Sequence, residues 1–339
     1  MQTAQLLCRT QRADFRIEAV QINSRVLLAP MSGVSDAAMR RIALRFGAGM
    51  AATEMVACDS YLAGDAETIL RAEGEGVRPH VVQIVGHDAT AMSRAAKAAE
   101  DAGAEIIDVN MGCPAKRVAG ALAGSALMRD LDHALRIIAA VIAAVTTPVT
   151  LKMRLGWDEA SVNAPELAHR AEQAGVAMLT VHGRTRRQFY NGAADWAAIR
   201  AVVDAVDIPV VANGDCRDLK DAKAMLSRSG AAAIMVGRAA IGAPWLPGQI
   251  SRAIANGGPV VEIPVAQRRD AALEHFDSLL SALGASAGLR HARKHLSAYA
   301  EKAGASAAHR LALVTCEDPR RAAALLSDAF LSAERREAA

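Results

Sequence analysis

The 339-residue chain is 52% hydrophobic but only 3% aromatic, so its core must be built from Ala, Val, Ile, Leu and Met, which suits packed helices and buried parallel strands. A formal net charge of +3 permits a nucleic-acid partner without requiring one. Five separated cysteines (Cys8, Cys58, Cys113, Cys216, Cys316) form no C-x-x-C pair, which argues against a disulfide framework or a zinc site and for free thiols inside a cell.

The first stretch, MQTAQLLCRTQRADF, lacks the apolar core of a signal peptide. The longest apolar run, Ile137 to Val145, falls far short of the roughly 20 residues that cross a bilayer. A soluble, cytoplasmic chain without membrane association is expected.

Short apolar runs then recur in chain order: 26-VLLAP-30, 51-AATEMV-56, 80-HVVQIVG-86, 105-EIIDVN-110, 149-VTLKMR-154, 177-AMLTVHGR-184, 208-IPVVANGD-215 and 232-AAIMVGR-238. Ala-rich stretches of helical spacing separate them, such as 89-ATAMSRAAKAAEDAG-103 and 164-APELAHRAEQAG-175. Gly103, Gly175 and Gly230 close such helices, as left-handed terminators do. Eight strands alternating with helices predict a (β/α)8 TIM barrel. A doubly wound sheet is the rival, but 29-APMSGVSD-36 after the first strand is not its G-x-G-x-x-G fingerprint.

Beyond 237-GRAAIGAPWLPGQI-250 the strand pattern stops. Residues 253–264 read as a Gly/Pro-rich linker, and 265–339 as an all-α helical bundle of two long helices and about two shorter ones. The division expected is a barrel over 1–252, a linker over 253–264 and a helical unit over 265–339. The tail 333-AERREAA-339 is expected to fray.

Chemistry in such barrels sits at the C-terminal strand ends. Those ends carry Pro30 and Met31, Glu54, Gln83, Asn110 with Cys113, Lys152 with Arg154, His182, Asn213-Gly214-Asp215, and Gly237-Arg238. Asn213-Gly214-Asp215 and Gly237-Arg238 end strands seven and eight, where the fold usually receives a phosphate, and the rival reading is two tight turns. Lys152 in a barrel mouth calls for an anionic partner, such as a reduced flavin, and Gln83 offers an amide to a flavin edge. His182 is either a satisfied core histidine or a ligand contact beside Arg184, Arg186 and Arg187. Cys113 sits on a loop at the catalytic face, where its thiol can donate a proton, or attack if activated. Gly120 and Gly124 would let that loop open and close.

These residues resemble the tRNA-dihydrouridine synthases, most closely the bacterial B type. The match runs through 29-APMSGVSD-36, 53-TEMV-56, 83-QIVG-86, 108-DVNMGCPAKRV-118, 151-LKMRLGWD-158, 181-VHGRTR-186, 212-ANGD-215, 236-VGR-238 and 291-HARKH-295, over nearly the whole chain. The resemblance implies an FMN-bound barrel and a helical unit that together grip tRNA, with NADPH as reductant. It implies hydride transfer from flavin N5 to C6 of a uracil taken out of its stack, and protonation of C5 by Cys113. Pro30, Met31 and Ser32 would pack the flavin, with Gln83, Lys152 and His182 on its ring, and Asn213, Gly214, Asp215, Gly237 and Arg238 at its phosphate. Asn110, Arg154, Arg186 and Arg187 would face the substrate, and Arg293, Lys294 and His295 would meet tRNA phosphates. A monomer without a protein partner is expected. The chain departs from the family at 296-LSAYAEKAG-304, which keeps only Tyr299 as an aromatic, and at 239-AAIGAPWL-246.

Three other readings remain at this point. A dihydroorotate dehydrogenase-like flavoenzyme would act on a free pyrimidine, and a non-catalytic RNA-binding protein would not need Cys113. A sugar-phosphate isomerase would leave Cys113, Lys152 and Gln83 unexplained.

Overall fold

The computed structural model describes residues 14–337. Cys8 and most of the stretch read for a targeting signal lie outside them, as do the last two residues of the tail.

The chain opens with an antiparallel hairpin of β1 (Phe15–Ile17) and β2 (Val20–Ile22). The alternation in 15-FRIEAVQI-22 aims Ile17 and Ile22 at one side, where both are fully buried. They join Leu27, Met50, Val81, Ile106, Met178, Val211 and Met235 in an apolar cluster.

Eight parallel strands follow: β3 (Val26–Leu28), β4 (Val56–Ala57), β5 (Val81–Val85), β6 (Ile106–Met111), β7 (Val149–Arg154), β8 (Met178–His182), β9 (Val210–Asn213) and β10 (Ala233–Val236). Their order β3-β10-β9-β8-β7-β6-β5-β4 closes on itself, because Ala51 bridges Leu28 of β3 and Ala52 bridges Val81 of β5. The fold is a TIM barrel. The second strand, read as continuous over 51–56, is interrupted: Ala51 and Ala52 make the bridges, and pairing with β5 resumes at Val56. Thr53, Glu54 and Met55 fall in the break, which re-aims Glu54 towards the loop after β3.

Period two divides each strand's side chains between two cores. Val26, Leu28, Ile107, Val109, Leu151, Met153, Leu179, Val181, Ile234 and Val236 pack outwards against the Ala-rich helices. Small helix residues such as Ala95, Ala96 and Ala99 let those helices lie close on the sheet, so few aromatics are needed.

After Val236 the regular structure is helical: Leu246–Ala255, Val265–Leu283, Ala285–Lys302, Ala307–Thr315 and Pro319–Glu337. The first of these occupies residues 253–255, where the linker was expected to begin, and the last is as long as Val265–Leu283 rather than short. The tail remains helical through Glu337 instead of fraying at residue 333. The bundle's own cluster holds Phe276, Leu279, Leu289, Leu296, Tyr299, Leu326 and Phe330. Ile42, from the helix Ala37–Arg45 after β3, belongs to the same cluster, as does Trp245, stacked on Tyr299 at 6.0 Å between centroids. The helical bundle therefore packs directly on the barrel. No helix of the described residues is long and apolar enough to cross a membrane.

Candidate active site

On the opposite parity of the strands the side chains become polar towards the C-terminal end. Register aligns Gln83, Asp108 and Thr150 across β5, β6 and β7, then Asn110, Lys152 and Thr180 across β6, β7 and β8. Arg154, His182 and Asn213 form the next row. These rows floor a cavity of about 1010 Å³ at the barrel mouth. Of the residues expected in a site, Pro30, Met31, Ser32, Gln83, Asn110, Cys113, Lys152, Arg154, His182, Asn213, Gly214, Asp215, Gly237 and Arg238 all line it.

The floor is a buried hydrogen-bond chain. Gln83 donates to Asp108 (2.6 Å) and accepts from Asn110 (2.7 Å), while Thr150 donates to the other Asp108 oxygen (2.7 Å). Both Asp108 oxygens are acceptors, which fixes the direction of every amide in the chain. Burial raises the Asp108 carboxyl above its ordinary pKa, and hydrogen bonds from Gln83 and Thr150 oppose the shift. Asp108→Asn places an NH2 where an oxygen accepts, so one bond must break or the amides must reverse in turn. Loss of about 2 kcal/mol is expected in urea unfolding, against about 1 kcal/mol for Thr150→Val.

Asn110 lines the cavity and also fixes the loop. Its Oδ1 accepts the backbone N–H of Gly112 (3.1 Å) and of Cys113 (3.0 Å), fixing the turn that presents the thiol. The Cys113 carbonyl accepts from the backbone N–H (3.1 Å) and the hydroxyl (2.7 Å) of Ser125. Gly124, at φ +58°, lies so close that a Cβ there would meet the Cys113 carbonyl at 3.0 Å and its Cβ at 3.2 Å. Close packing against Cys113 and a left-handed φ therefore both require glycine at position 124 in this arrangement. Burial pushes the Cys113 thiol up, and Arg154 and Lys152 only partly oppose this, so it is held protonated.

Lys152 rises from the floor and donates to Asn213 Oδ1 (3.2 Å). Burial lowers it to about 8, with Asp108 the main opposing charge. Arg154 is buried and ties three segments together, donating to the carbonyls of Gly112 (2.8 Å), Thr185 (2.9 Å) and Phe189 (2.9 Å). His182 is buried near Arg154, Lys152, Arg184 and Arg238, so burial first and these charges second hold it neutral. Arg184 lies at 3.4 Å from its Nε2, a contact that makes Nε2 the acceptor and leaves the proton on Nδ1.

One end of the cavity is rich in guanidinium groups. Arg217, Arg228 and Arg238 line it together with Gly214 and Gly237. Gly214 has φ +118°, and a Cβ would strike Ala194 and His182 at 2.7 Å. At Gly237 the nearest atom to an added Cβ is Ala29 Cβ at 3.8 Å, so its backbone stays open. The Asp215 carboxylate accepts from Arg184 (2.6 Å), Arg238 (3.2 Å) and the Ala194 N–H (2.9 Å). Asp215 thus orients the arginines at the end of the cavity where a phosphate was expected.

Three expected residues are placed otherwise. Arg186 stacks on Trp157 (4.8 Å) and Arg187 is exposed, and neither lines the cavity. His295 is 2% exposed, which puts it out of reach of a surface phosphate, whereas Lys294 is exposed beside Gly33. Among the described residues one group has metal-ligand spacing, Asp36 with His291 and His295. Lys294 Nζ already stands 3.3 Å from His291 Nε2 there.

A profile of the dihydrouridine synthases matches residues 27–334. A "probable tRNA-dihydrouridine synthase" of Rhizobium leguminosarum bv. phaseoli is 49% identical over 313 residues, covering 92% of this chain and 96% of its own. The chain belongs to the dihydrouridine synthase family. A relative of the same description from Rhodobacter capsulatus is 50% identical over 94% of this enzyme and 98% of its own length. A tRNA-dihydrouridine synthase B of Xanthomonas axonopodis pv. citri is 43% identical, with 93% and 95% covered. The fold is shared with an old yellow enzyme homologue of Zymomonas mobilis (TM-score 0.53, 15% identity, 76% of this chain and 96% of that one). It is shared also with a 2-naphthoyl-CoA reductase (TM-score 0.56, 12% identity), of which the match spans 53% against 74% of this enzyme.

The enzyme's site also holds residues to which the sequence reading gave no role. Asp108 and Thr150 support it from beneath Gln83; Arg184 and Arg228 line it, and Phe189 and Tyr190 form an edge-to-face aromatic pair (4.9 Å) on the cavity rim. Arg238 lies over the Tyr190 ring at 4.9 Å.

Proposed function

We propose that this chain reduces a uridine of tRNA to 5,6-dihydrouridine, with FMN in the barrel-mouth cavity, NADPH as reductant and Cys113 as the proton donor. The observation that carries the reading is the protonated Cys113 thiol on the wall of a cavity with a cationic floor at Lys152 and an arginine-lined end. Near-half identity to relatives named for tRNA supports the substrate.

The residues present fit FMN. The volume suits a ligand of that size, the arginine end with the open backbone of Gly237 suits a phosphate, and Lys152 suits an anionic ring edge. Gln83 and Asn110 each keep one amide N–H beyond the floor chain, and both line the cavity. FMN, when bound, supplies the hydride that goes to C6 of the uracil. Cys113 holds the proton for C5, and Asn110 and Ser125 hold Cys113. Arg154 fixes the walls on which the base rests, and Tyr190 and Phe189 offer faces for stacking at the entrance. Within this reading residues 1–252 are the catalytic unit and 265–339 an RNA-binding unit joined through 253–264, acting in the cytoplasm. From residue 260 onwards the chain has 11 basic and 10 acidic residues, so affinity for RNA must rest on local groups such as Arg293 and Lys294.

Protein loaded with FMN is expected to oxidise NADPH and then to be re-oxidised by unmodified tRNA, with free uridine and orotate leaving it reduced. Re-oxidation by the free pyrimidine alone would favour the dihydroorotate dehydrogenase-like reading. Arg238→Ala is expected to weaken FMN binding by about 10- to 100-fold, the worth of a charge-assisted hydrogen bond, in a fluorescence titration.

A further inference from the structure

The wall of the cavity formed by Pro30, Met31, Ser32 and Val34 is held from two directions. From within the barrel, Glu54 accepts the Gly33 N–H in a short hydrogen bond. Within the turn, the Met31 N–H donates to Ser35 Oγ (2.8 Å), and the Met31 carbonyl accepts from the Val34 and Ser35 N–H groups (both 2.9 Å). The next residue is Asp36, which caps the helix Ala37–Arg45 by accepting from Met39 N (3.0 Å).

The second carboxylate oxygen of Asp36 faces the helical bundle. His275 Nε2 lies 2.9 Å from it, and His275 Nδ1 lies 2.9 Å from the Tyr299 hydroxyl. His275 is fully buried and Tyr299 nearly so. An ionised carboxylate only accepts, so Nε2 carries a proton towards Asp36, and Nδ1 pairs with the tyrosine hydroxyl. His295 Nε2 has no hydrogen-bond partner, is buried, and stands 3.8 Å from the same Asp36 oxygen. Two imidazoles on two different helices thus converge on one oxygen, one bonded and one about 1 Å too far. The second comes from Ala285–Lys302, the helix that also carries Arg293 and Lys294.

We propose that Asp36 is a positioning residue through which His275 and Tyr299 of the helical bundle set the Met31–Ser35 wall of the cavity. His295, 3.8 Å from the same oxygen, is placed to exchange with His275 on Asp36 if the helix Ala285–Lys302 shifts. An unpartnered buried ring nitrogen at that point has its use in this second arrangement. The link to a cofactor rests on the FMN reading; the link to the wall does not.

Asp36→Asn separates the joint from the helix cap, since asparagine caps as well as aspartate but offers His275 no carboxylate. His275→Gln keeps a donor near the Nε2 position. Amide hydrogen exchange over residues 31–39 of the cofactor-free protein is expected to quicken about tenfold in Asp36→Asn and to stay within about twofold in His275→Gln. FMN affinity is expected to fall by about tenfold in the first variant only. Unchanged exchange in Asp36→Asn, or equal damage in both variants, overturns the joint. Faster exchange with unchanged FMN affinity overturns the positioning role. Wild-type protein that takes up no FMN removes the cofactor reading, and the exchange result then decides the joint alone.

Discussion

Cys113→Ala is expected to lose at least about 100-fold in dihydrouridine formation while NADPH still reduces the bound flavin. A positioned general acid contributes about 10²- to 10⁴-fold, and no second thiol lines the cavity near it apart from the buried Cys216 at the arginine end. The alanine keeps the backbone bonds to Asn110 and Ser125, so the loop stays in place and the loss belongs to the thiol. The pH dependence follows from burial. Because the thiol is raised above its ordinary pKa, it is protonated through the neutral range, and its acid function is lost only as pH rises through that raised value. Single-turnover product formation from pre-reduced enzyme is the measurement. Cys113→Ser, with a donor that does not titrate there, is expected to be slow without a thiol-dependent fall on the alkaline side.

Lys152→Met is expected to separate stability from function. Burial lowers this lysine to about 8, so below that pH it stays charged in the folded protein at a cost that an unfolded lysine does not carry. Relative to an unfolded lysine, the penalty is fully present at neutral pH and is relieved progressively as pH rises from about 8 towards the ordinary lysine value of 10.5. Methionine removes it and is expected to raise stability near pH 7 by about 2 kcal/mol in urea unfolding. The same charge favours an anionic ligand, so wild-type FMN affinity is expected to fall as pH rises through about 8, and the variant's to be weaker and nearly flat. The midpoint potential of the bound flavin is expected to drop by about 30 mV in Lys152→Met, the equivalent of roughly 1.4 kcal/mol for a two-electron couple. A variant that is no more stable and binds FMN with the wild-type pH dependence would remove Lys152 from this role.

Much of the site was legible because a parallel barrel writes its chemistry at strand ends. The polar residues closing β5 to β10 fall on one cavity wall for that reason. What escaped has physical causes too. Asp108 and Thr150 are interior strand residues, and only period two relates them to Asn110 and Lys152, since 108 and 110, and 150 and 152, share a face. His295 reads as surface in the basic run 291-HARKH-295, yet its helical spacing with Ala292 and Tyr299 marks it as core. The pairing of Asp215 with Arg184 depends on two strand-end loops meeting, which no local pattern records. The break at Thr53–Met55 carried no Gly or Pro to announce it. Phe189 and Tyr190 had one signal, as the only adjacent aromatics in a chain that is 3% aromatic.

The most direct test is mass spectrometry of unmodified tRNA after incubation with the FMN-loaded protein and NADPH. A gain of about two hydrogens on a uridine is expected with the wild type, absent without NADPH and nearly absent with Cys113→Ala. Unaltered tRNA from a flavin-loaded protein that oxidises NADPH would contradict the account's choice of substrate, and full conversion by Cys113→Ala would contradict its choice of acid.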